Sequence, residues 1–146
     1  MSAPTLMHRA LAMLTRREHS RLELERKLAR FAESAEALGA VLDDLERSRL
    51  LSAERFSQSL VHRREERYGS ERITRELEQH QLDPDIVRER RAELAGSETE
   101  RCYNVWQKKF GSHPADLEER ARQVRFLTAR GFSADVIRDV LKRARG

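Results

Sequence analysis

Two short stretches of the chain, "QLDPDIVRER" at residues 81–90 and "GFSADVIRDV" at residues 131–140, carry one pattern at an offset of fifty residues. Four successive positions hold matching residue types: Asp85 and Asp135, Ile86 and Val136, Val87 and Ile137, Arg88 and Arg138. Similarity at a fixed offset is typical of proteins built from repeated structural units. The sequence therefore predicts a unit of about fifty residues that recurs along the chain.

The spacing of apolar residues predicts that these units are helical. Apolar side chains recur every three or four residues, which places them on one face of an α-helix. Good N-cap residues mark predicted helix starts at Ser20, Ser34, Ser52, Ser70, Asp83, Ser97 and Ser133. Gly69 and Gly131 are predicted to stand just past helix ends, and Pro114 is predicted to restart a helix after the loop "GSHPAD".

The registers of these helices predict three units. Leu28, Leu77 and Leu127 align, and so do Leu38, Val87 and Ile137. The predicted fold class is all-α, with tandem three-helix repeats at residues 1–50, 51–96 and 97–146 forming an elongated, curved, solenoid-like chain. We expect each unit to bury little by itself, so that neighbouring units stack and share cores.

The charge is unevenly distributed along the chain. The formal net charge is +4, yet residues 101–146 hold eleven basic and five acidic residues, whereas residues 51–100 hold nine and twelve. A basic end suits an acidic partner or nucleic acid, and the alternative is an ordinary solvated surface.

The sequence offers little for catalysis. Five histidines are scattered without metal-ligand spacing, and no glycine-rich phosphate loop is present. Cys102 is the single cysteine, and a buried structural role is favoured over a nucleophilic one. We therefore expect a protein that is not an enzyme and has no cofactor and no metal. The lone cysteine, the lack of a long apolar run and the absence of a signal-peptide layout lead us to expect a cytoplasmic protein without membrane contact. We also expect a monomer.

Basic residues recur late in the first helix of each unit. The candidate partner-binding residues are Arg16, Arg17, Arg63, Arg64, Arg67, Lys108 and Lys109. One interpretation is local, because a cation in the last helical turn complements the helix dipole. The other is that stacking lines these clusters along one face, which tracks nucleic acid or a filament with acidic ridges. The larger aromatic residues Trp106, Phe110, Phe126 and Phe132 are expected in the core.

Four segments together resemble one known family. They are "ALAMLTRREHSRLELERKL" at residues 10–28, "LLSAERFSQSLVHRR" at 50–64, "YGSERITREL" at 68–77 and "VRFLTARGFSADVIRDVL" at 124–141. In this order they are similar to the signatures of the RecX family of bacterial regulatory proteins. The chain departs from the family pattern before the middle segment, because Arg49 stands near the position where the family often has a glycine.

The resemblance implies a function as well as a fold. RecX-like proteins are all-helical and built of tandem three-helix repeats. They modulate the RecA recombinase, mostly negatively, by binding within the groove of the RecA filament on single-stranded DNA. They thereby limit filament assembly, ATP hydrolysis, strand exchange and co-protease activity. A directly DNA-binding helical protein without sequence specificity is the alternative, and a helical scaffold for another partner is a third hypothesis.

Overall fold

The computed structural model describes residues 3–145, and this range contains nine α-helices and no strand, which confirms the all-α prediction. Their bounds are α1 Leu6–Arg16, α2 Arg21–Leu28, α3 Ala35–Arg47, α4 Ala53–Arg64, α5 Ser70–Gln79, α6 Pro84–Ala95, α7 Glu98–Lys109, α8 Leu117–Ala129 and α9 Ala134–Arg145. A short 3-10 turn, Ala29–Phe31, follows α2. We refer to α1–α3, α4–α6 and α7–α9 as the first, second and third triplets.

Side-chain caps explain where several helices begin. Ser20 accepts a hydrogen bond from the backbone of Glu23, whose carboxylate accepts one from the backbone of Ser20, so the two form a capping box. Ser34 and Ser52 cap α3 and α4 as predicted. The predicted start at Pro114 is wrong, since α8 begins at Leu117 and the side chain of Asp116 accepts from the backbone of Glu119 at 2.8 Å.

The buried apolar residues form three separate clusters, one in each triplet. Representative members are Leu24, Leu28 and Leu42 in the first, Phe56, Leu60 and Leu77 in the second, and Trp106, Leu127 and Ile137 in the third. Each triplet therefore has its own core, and the expected sharing of cores between neighbours is wrong. Because each triplet has its own core, we propose that the chain divides into three repeat units with boundaries near residues 50 and 96.

The molecule is extended for its mass. Its solvent-accessible surface is 9499 Å² at 17.1 kDa, whereas a compact monomer of that mass exposes about 7750 Å². The excess is expected for triplets arranged in a row, and it leaves a long surface available for a partner.

The second and third triplets meet through their backbones, at a contact that we call the second seam. The Gly69 amide donates to the carbonyl oxygen of Arg130 at 2.7 Å, and the Glu71 amide donates to that of Gly131 at 3.1 Å. The prediction that Gly69 stands just past a helix end is wrong, since α4 ends at Arg64 and Gly69, with a φ of −84°, is the N-cap residue of α5. It is glycine because a Cβ there would lie 2.3 Å from the carbonyl oxygen of Gly131.

A polar network reinforces the second seam. The buried carboxylate of Glu98 accepts hydrogen bonds from the backbone amide and the hydroxyl of Ser70. The guanidinium of Arg101 pairs with Glu98 at 2.6 Å and donates to the carbonyl oxygens of Tyr68 at 2.7 Å and Glu65 at 3.0 Å. The α4–α5 loop is therefore held onto the start of α7.

The first seam joins the first and second triplets at the equivalent place. The Ser20 hydroxyl lies 2.7 Å from Nδ1 of His80, whose ring packs 4.6 Å from that of Phe56. Arg55 adds an ion pair with Glu18 at 2.9 Å. In both seams the turn after the first helix of one triplet contacts the turn after the second helix of the next, so the fifty-residue repeat is also a repeat of contacts.

Two arginines occupy unusual environments. Arg49 has a φ of +64°, in the left-handed region that favours glycine. The side chain of Arg90 is 2% exposed and forms ion pairs with Glu54 and Glu93, both at 3.1 Å. Its Nε has no hydrogen-bond partner among the described residues.

Candidate partner-binding site

The second seam carries a basic cleft of about 500 Å³. It lies where the end of α4 faces the ends of α7 and α8, and we call it the seam cleft. Among the described residues, its lining holds one carboxylate, that of Glu66, and five cations: Arg63, Arg67, Lys108, Lys109 and Arg130. A cleft that concentrates one sign of charge attracts ligands of the opposite sign.

The cations at the rim are largely free to meet a ligand. Arg63, Lys108 and Lys109 are exposed, and none of them forms an ion pair within residues 3–145. Partial burial lowers the pKa of Arg63, and the nearby charges of Arg17 and Arg64 lower it further. The guanidinium of Arg63 is therefore a positive group that no carboxylate of the described residues neutralises. An anionic partner would supply the missing negative charge.

Arg130 and Phe126 form the inner wall of the seam cleft. The Arg130 guanidinium lies 4.9 Å from the ring centroid of Phe126 and donates to the carbonyl oxygen of Arg67 at 3.1 Å. The ammonium of Lys109 lies 5.3 Å from the same centroid. Cations over an aromatic face are held by its quadrupole, so the basic groups are positioned by half-buried Phe126.

Three of the predicted residues lie outside this cleft. Arg17 pairs with both carboxylate oxygens of Glu23, and Arg64 pairs with both oxygens of Glu76, with 3.0 Å contacts from Nε and Nη2. Arg16 is exposed at the end of α1, and its side chain makes no hydrogen bond or ion pair within the described range. The structure thus brings Arg63, Arg67, Lys108 and Lys109 together and assigns Arg17 and Arg64 to internal ion pairs.

A smaller basic hollow adjoins the seam cleft around Tyr68. It measures about 440 Å³ and is lined by Arg72, Arg75 and the Arg64–Glu76 ion pair. The ring of Tyr68 has the guanidinium of Arg72 at 4.0 Å and that of Arg130 at 5.4 Å. The basic surface therefore continues from the seam cleft along α5.

Arg130 and Phe126 were missed at the sequence level. Phe126 follows a helical apolar spacing that indicates core, and Arg130 precedes a helix-ending glycine, where a cation has a local explanation. The fifty-residue offset could have found Arg130, because it aligns with His80, which occupies the first seam. Trp106 and Phe132 are buried as expected, with exposures of 3% and 2%.

Cys102, the single cysteine of the chain, belongs to the core of the third triplet and is not among the residues that line the seam cleft. Burial raises the pKa of the Cys102 thiol to about 12, and its side chain is fully buried in the third triplet. Such a thiol stays protonated and inaccessible, as expected for a structural cysteine. No helix between residues 3 and 145 combines the length and the apolar character needed to cross a membrane.

Comparisons with known proteins identify the family. The family model described as "RecX, third three-helix domain" matches residues 97–141. A protein of Ralstonia nicotianae named "Regulatory protein RecX" is 50% identical over 140 residues, covering 96% of this chain and 88% of that protein. A protein of the same name from Herbaspirillum seropedicae is also 50% identical over 140 residues, covering 96% and 91%.

A solved structure shares the fold. The crystal structure of RecX from Lactobacillus salivarius superposes with a TM-score of 0.79 at 18% identity, covering 96% of this chain and 94% of that one. The tandem arrangement of helix triplets is therefore the arrangement found in that protein. The 50% identities to the Ralstonia nicotianae and Herbaspirillum seropedicae proteins extend over almost the whole chain and establish common descent, so this chain belongs to the RecX family of regulatory proteins.

Proposed function

We propose that this protein binds the RecA filament on single-stranded DNA and negatively modulates the recombinase, ATPase and co-protease activities of RecA. The family membership supports a regulatory role, because the relatives are named regulatory proteins. The observation that carries the proposal is the seam cleft, with five cations against one carboxylate among the residues described. An elongated chain with a basic cleft between two triplets suits a partner that is a long acidic polymer.

The proposed action is steric and electrostatic, without a catalytic step or a cofactor. A chain that spans neighbouring subunits of the filament biases it toward a state unfit for extension or turnover. It can do so only if it binds that state more tightly than the active one. The proposal also has the protein act as a cytoplasmic monomer, with contacts distributed over the triplets so that avidity adds to each of them.

A charge reversal in the seam cleft tests the proposal. Arg63→Glu/Lys108→Glu changes the net charge by four and inverts two exposed rim groups. We expect at least about tenfold weaker binding to the cognate filament, because like charges are then opposed across the contact. The matched control is Arg47→Glu/Arg88→Glu, which makes the same charge change at two exposed arginines on α3 and α6.

The readout is fluorescence anisotropy of the labelled chain with filaments assembled on single-stranded DNA. The control double variant should bind within about twofold of the wild type, as expected for charges outside the contact. Equal losses in both double variants would mean that net charge alone drives the association. Unchanged binding of the seam-cleft variant would remove the cleft from the contact.

Direct DNA binding is the second candidate, and the unpaired cations of the same cleft favour it. If all five cations met phosphates, log K would fall against log salt with a slope of about −3.5 for a single strand. That slope is about a hundredfold loss between 50 and 200 mM salt. A salt series on naked single-stranded DNA separates the candidates, since filament regulation requires binding that persists where binding to naked DNA has been lost.

A further inference from the structure

The third triplet has an uncovered turn where the other triplets have a seam. The turns between α1 and α2 and between α4 and α5 each pack on the following triplet, through Ser20 and Gly69. The equivalent α7–α8 loop, residues 110–116, is not covered by any further triplet within residues 3–145. A surface that serves as an interface twice in this fold is thus exposed at its third occurrence.

This loop borders a cleft of about 500 Å³, which we call the end cleft. Its walls are the loop, the start of α8 and the end of α9, with Pro114 and Leu141 buried beneath it. Leu117, the first residue of α8, is 84% exposed. It is the most exposed large apolar side chain of the described residues, and Leu50 at 50% is the next.

The rim of the end cleft is basic. Arg120, Lys142 and Arg145 form no ion pair within the described range, and Arg138 pairs with Asp135 at 2.6 Å. The one carboxylate of the lining, Asp116, already caps α8 by accepting from the backbone of Glu119. The cleft therefore offers an apolar anchor point among cations that lack counter-charges.

The chemistry of the end cleft selects the class of partner. A nucleic-acid backbone would match the cations but would leave Leu117 without an apolar contact. An acidic protein segment with an apolar side chain satisfies both, because its carboxylates meet Lys142 and Arg145 while its apolar group covers Leu117. Buried apolar anchors surrounded by a polar rim are the usual anatomy of a protein–protein contact.

We propose that the end cleft docks an acidic segment of a partner protein, with an apolar side chain of that segment seated on Leu117. The inference rests on the proposed function in taking the RecA filament as that partner. The seam cleft and the end cleft lie at opposite ends of α8, whose 13 residues span about 20 Å. Two attachment points at this separation strengthen binding to a polymer without tightening either contact.

Two variants of the end cleft test the inference, Leu117→Ser and Lys142→Gln/Arg145→Gln. All three side chains are exposed, so circular dichroism should show unchanged helix content. We expect each variant to bind the assembled cognate filament at least fivefold more weakly than the wild type, measured by anisotropy of the full chain. Leu50→Ser, at the other exposed leucine, is the matched control and should bind within twofold of the wild type.

The remaining outcomes separate this inference from the proposed function. Wild-type binding in both end-cleft variants, together with a loss in Arg63→Glu/Lys108→Glu, would overturn the end cleft and leave the proposed function standing. A loss of binding to naked single-stranded DNA by the same factor in Leu117→Ser would overturn it in favour of a nucleic-acid surface. A wild-type chain that does not bind the filament would overturn both.

Discussion

Replacing Gly69 with alanine tests the account of the second seam. The new Cβ would lie 2.3 Å from the carbonyl oxygen of Gly131 and 2.6 Å from the amide nitrogen of Phe132. These are backbone atoms that cannot rotate away, so the seam must open by about 1 Å to reach ordinary van der Waals contact. The φ of −84° at Gly69 is accessible to alanine, so the substitution adds the clash without backbone strain.

The free-energy cost of Gly69→Ala is the cost of overpacking together with the hydrogen bonds that are lost when the second seam opens. Overpacking costs about 1–3 kcal/mol, and the two backbone hydrogen bonds at Gly69 and Glu71 contribute about 1 kcal/mol each. We expect Gly69→Ala to lower the free energy of unfolding by about 3 kcal/mol, measured by urea denaturation with circular dichroism.

The control for this substitution is Gly39→Ala. Gly39 lies inside α3, and apart from the adjacent helix backbone no atom lies within 4 Å of a new Cβ, so alanine should stabilise the helix by about 0.5–1 kcal/mol. Because Gly69→Ala also separates the two walls of the seam cleft, it should weaken filament binding as well. A Gly69→Ala protein within about 0.5 kcal/mol of the wild type would refute the tight backbone contact, since surface changes usually stay within that range.

Three further predictions concern buried or paired groups. Burial would raise the pKa of Glu23, but its hydrogen bonds and ion pair with arginine hold it down to about 2. The contribution of the Glu23 carboxylate to the free energy of unfolding should therefore be fully present above about pH 5. It should fall by about 2 kcal/mol as the pH drops toward 2, and Glu23→Gln should lack this loss. Cys102, with its pKa raised to about 12 by burial, should react with iodoacetamide only after denaturation in urea, and rapid labelling of the native protein would contradict its placement. Arg90→Met should leave the free energy of unfolding unchanged or raise it by about 1–2 kcal/mol. The reason is that Val140, which aligns with Arg90 at the fifty-residue offset, is apolar and fully buried. A loss above about 3 kcal/mol in thermal or urea melts would show that the buried ion pairs are needed.

The helices were predictable because their signals are local. Ser34 and Ser52 cap through bonds to a backbone three residues away, and apolar spacing identifies each buried face. The role of Gly69 was not predictable, because it depends on Gly131, sixty-two residues later, approaching in the folded chain. The start of α8 was misassigned because proline and aspartate in one loop are both start signals, and the capping hydrogen bond decides for Asp116.

The candidate site shows the same difference between local signals, which were predictable, and contacts between distant residues, which were not. Arg63 and Lys108 were identified because exposed cations near helix ends are visible in the sequence. The internal ion pairs of Arg17 and Arg64 were missed because their carboxylates, Glu23 and Glu76, lie six and twelve residues away, outside the usual helical pair spacing. Positions alone could not show which cations were already neutralised.

The proposed regulation of RecA through filament binding can be measured in the DNA-dependent ATPase of the cognate RecA on single-stranded DNA. The protein is titrated into this reaction, and its binding to the naked strand is measured in the same buffer. If it acts on the filament, we expect inhibition at protein concentrations well below those that coat the DNA. Inhibition that appears only as the strand becomes coated, or no inhibition at all, would contradict it.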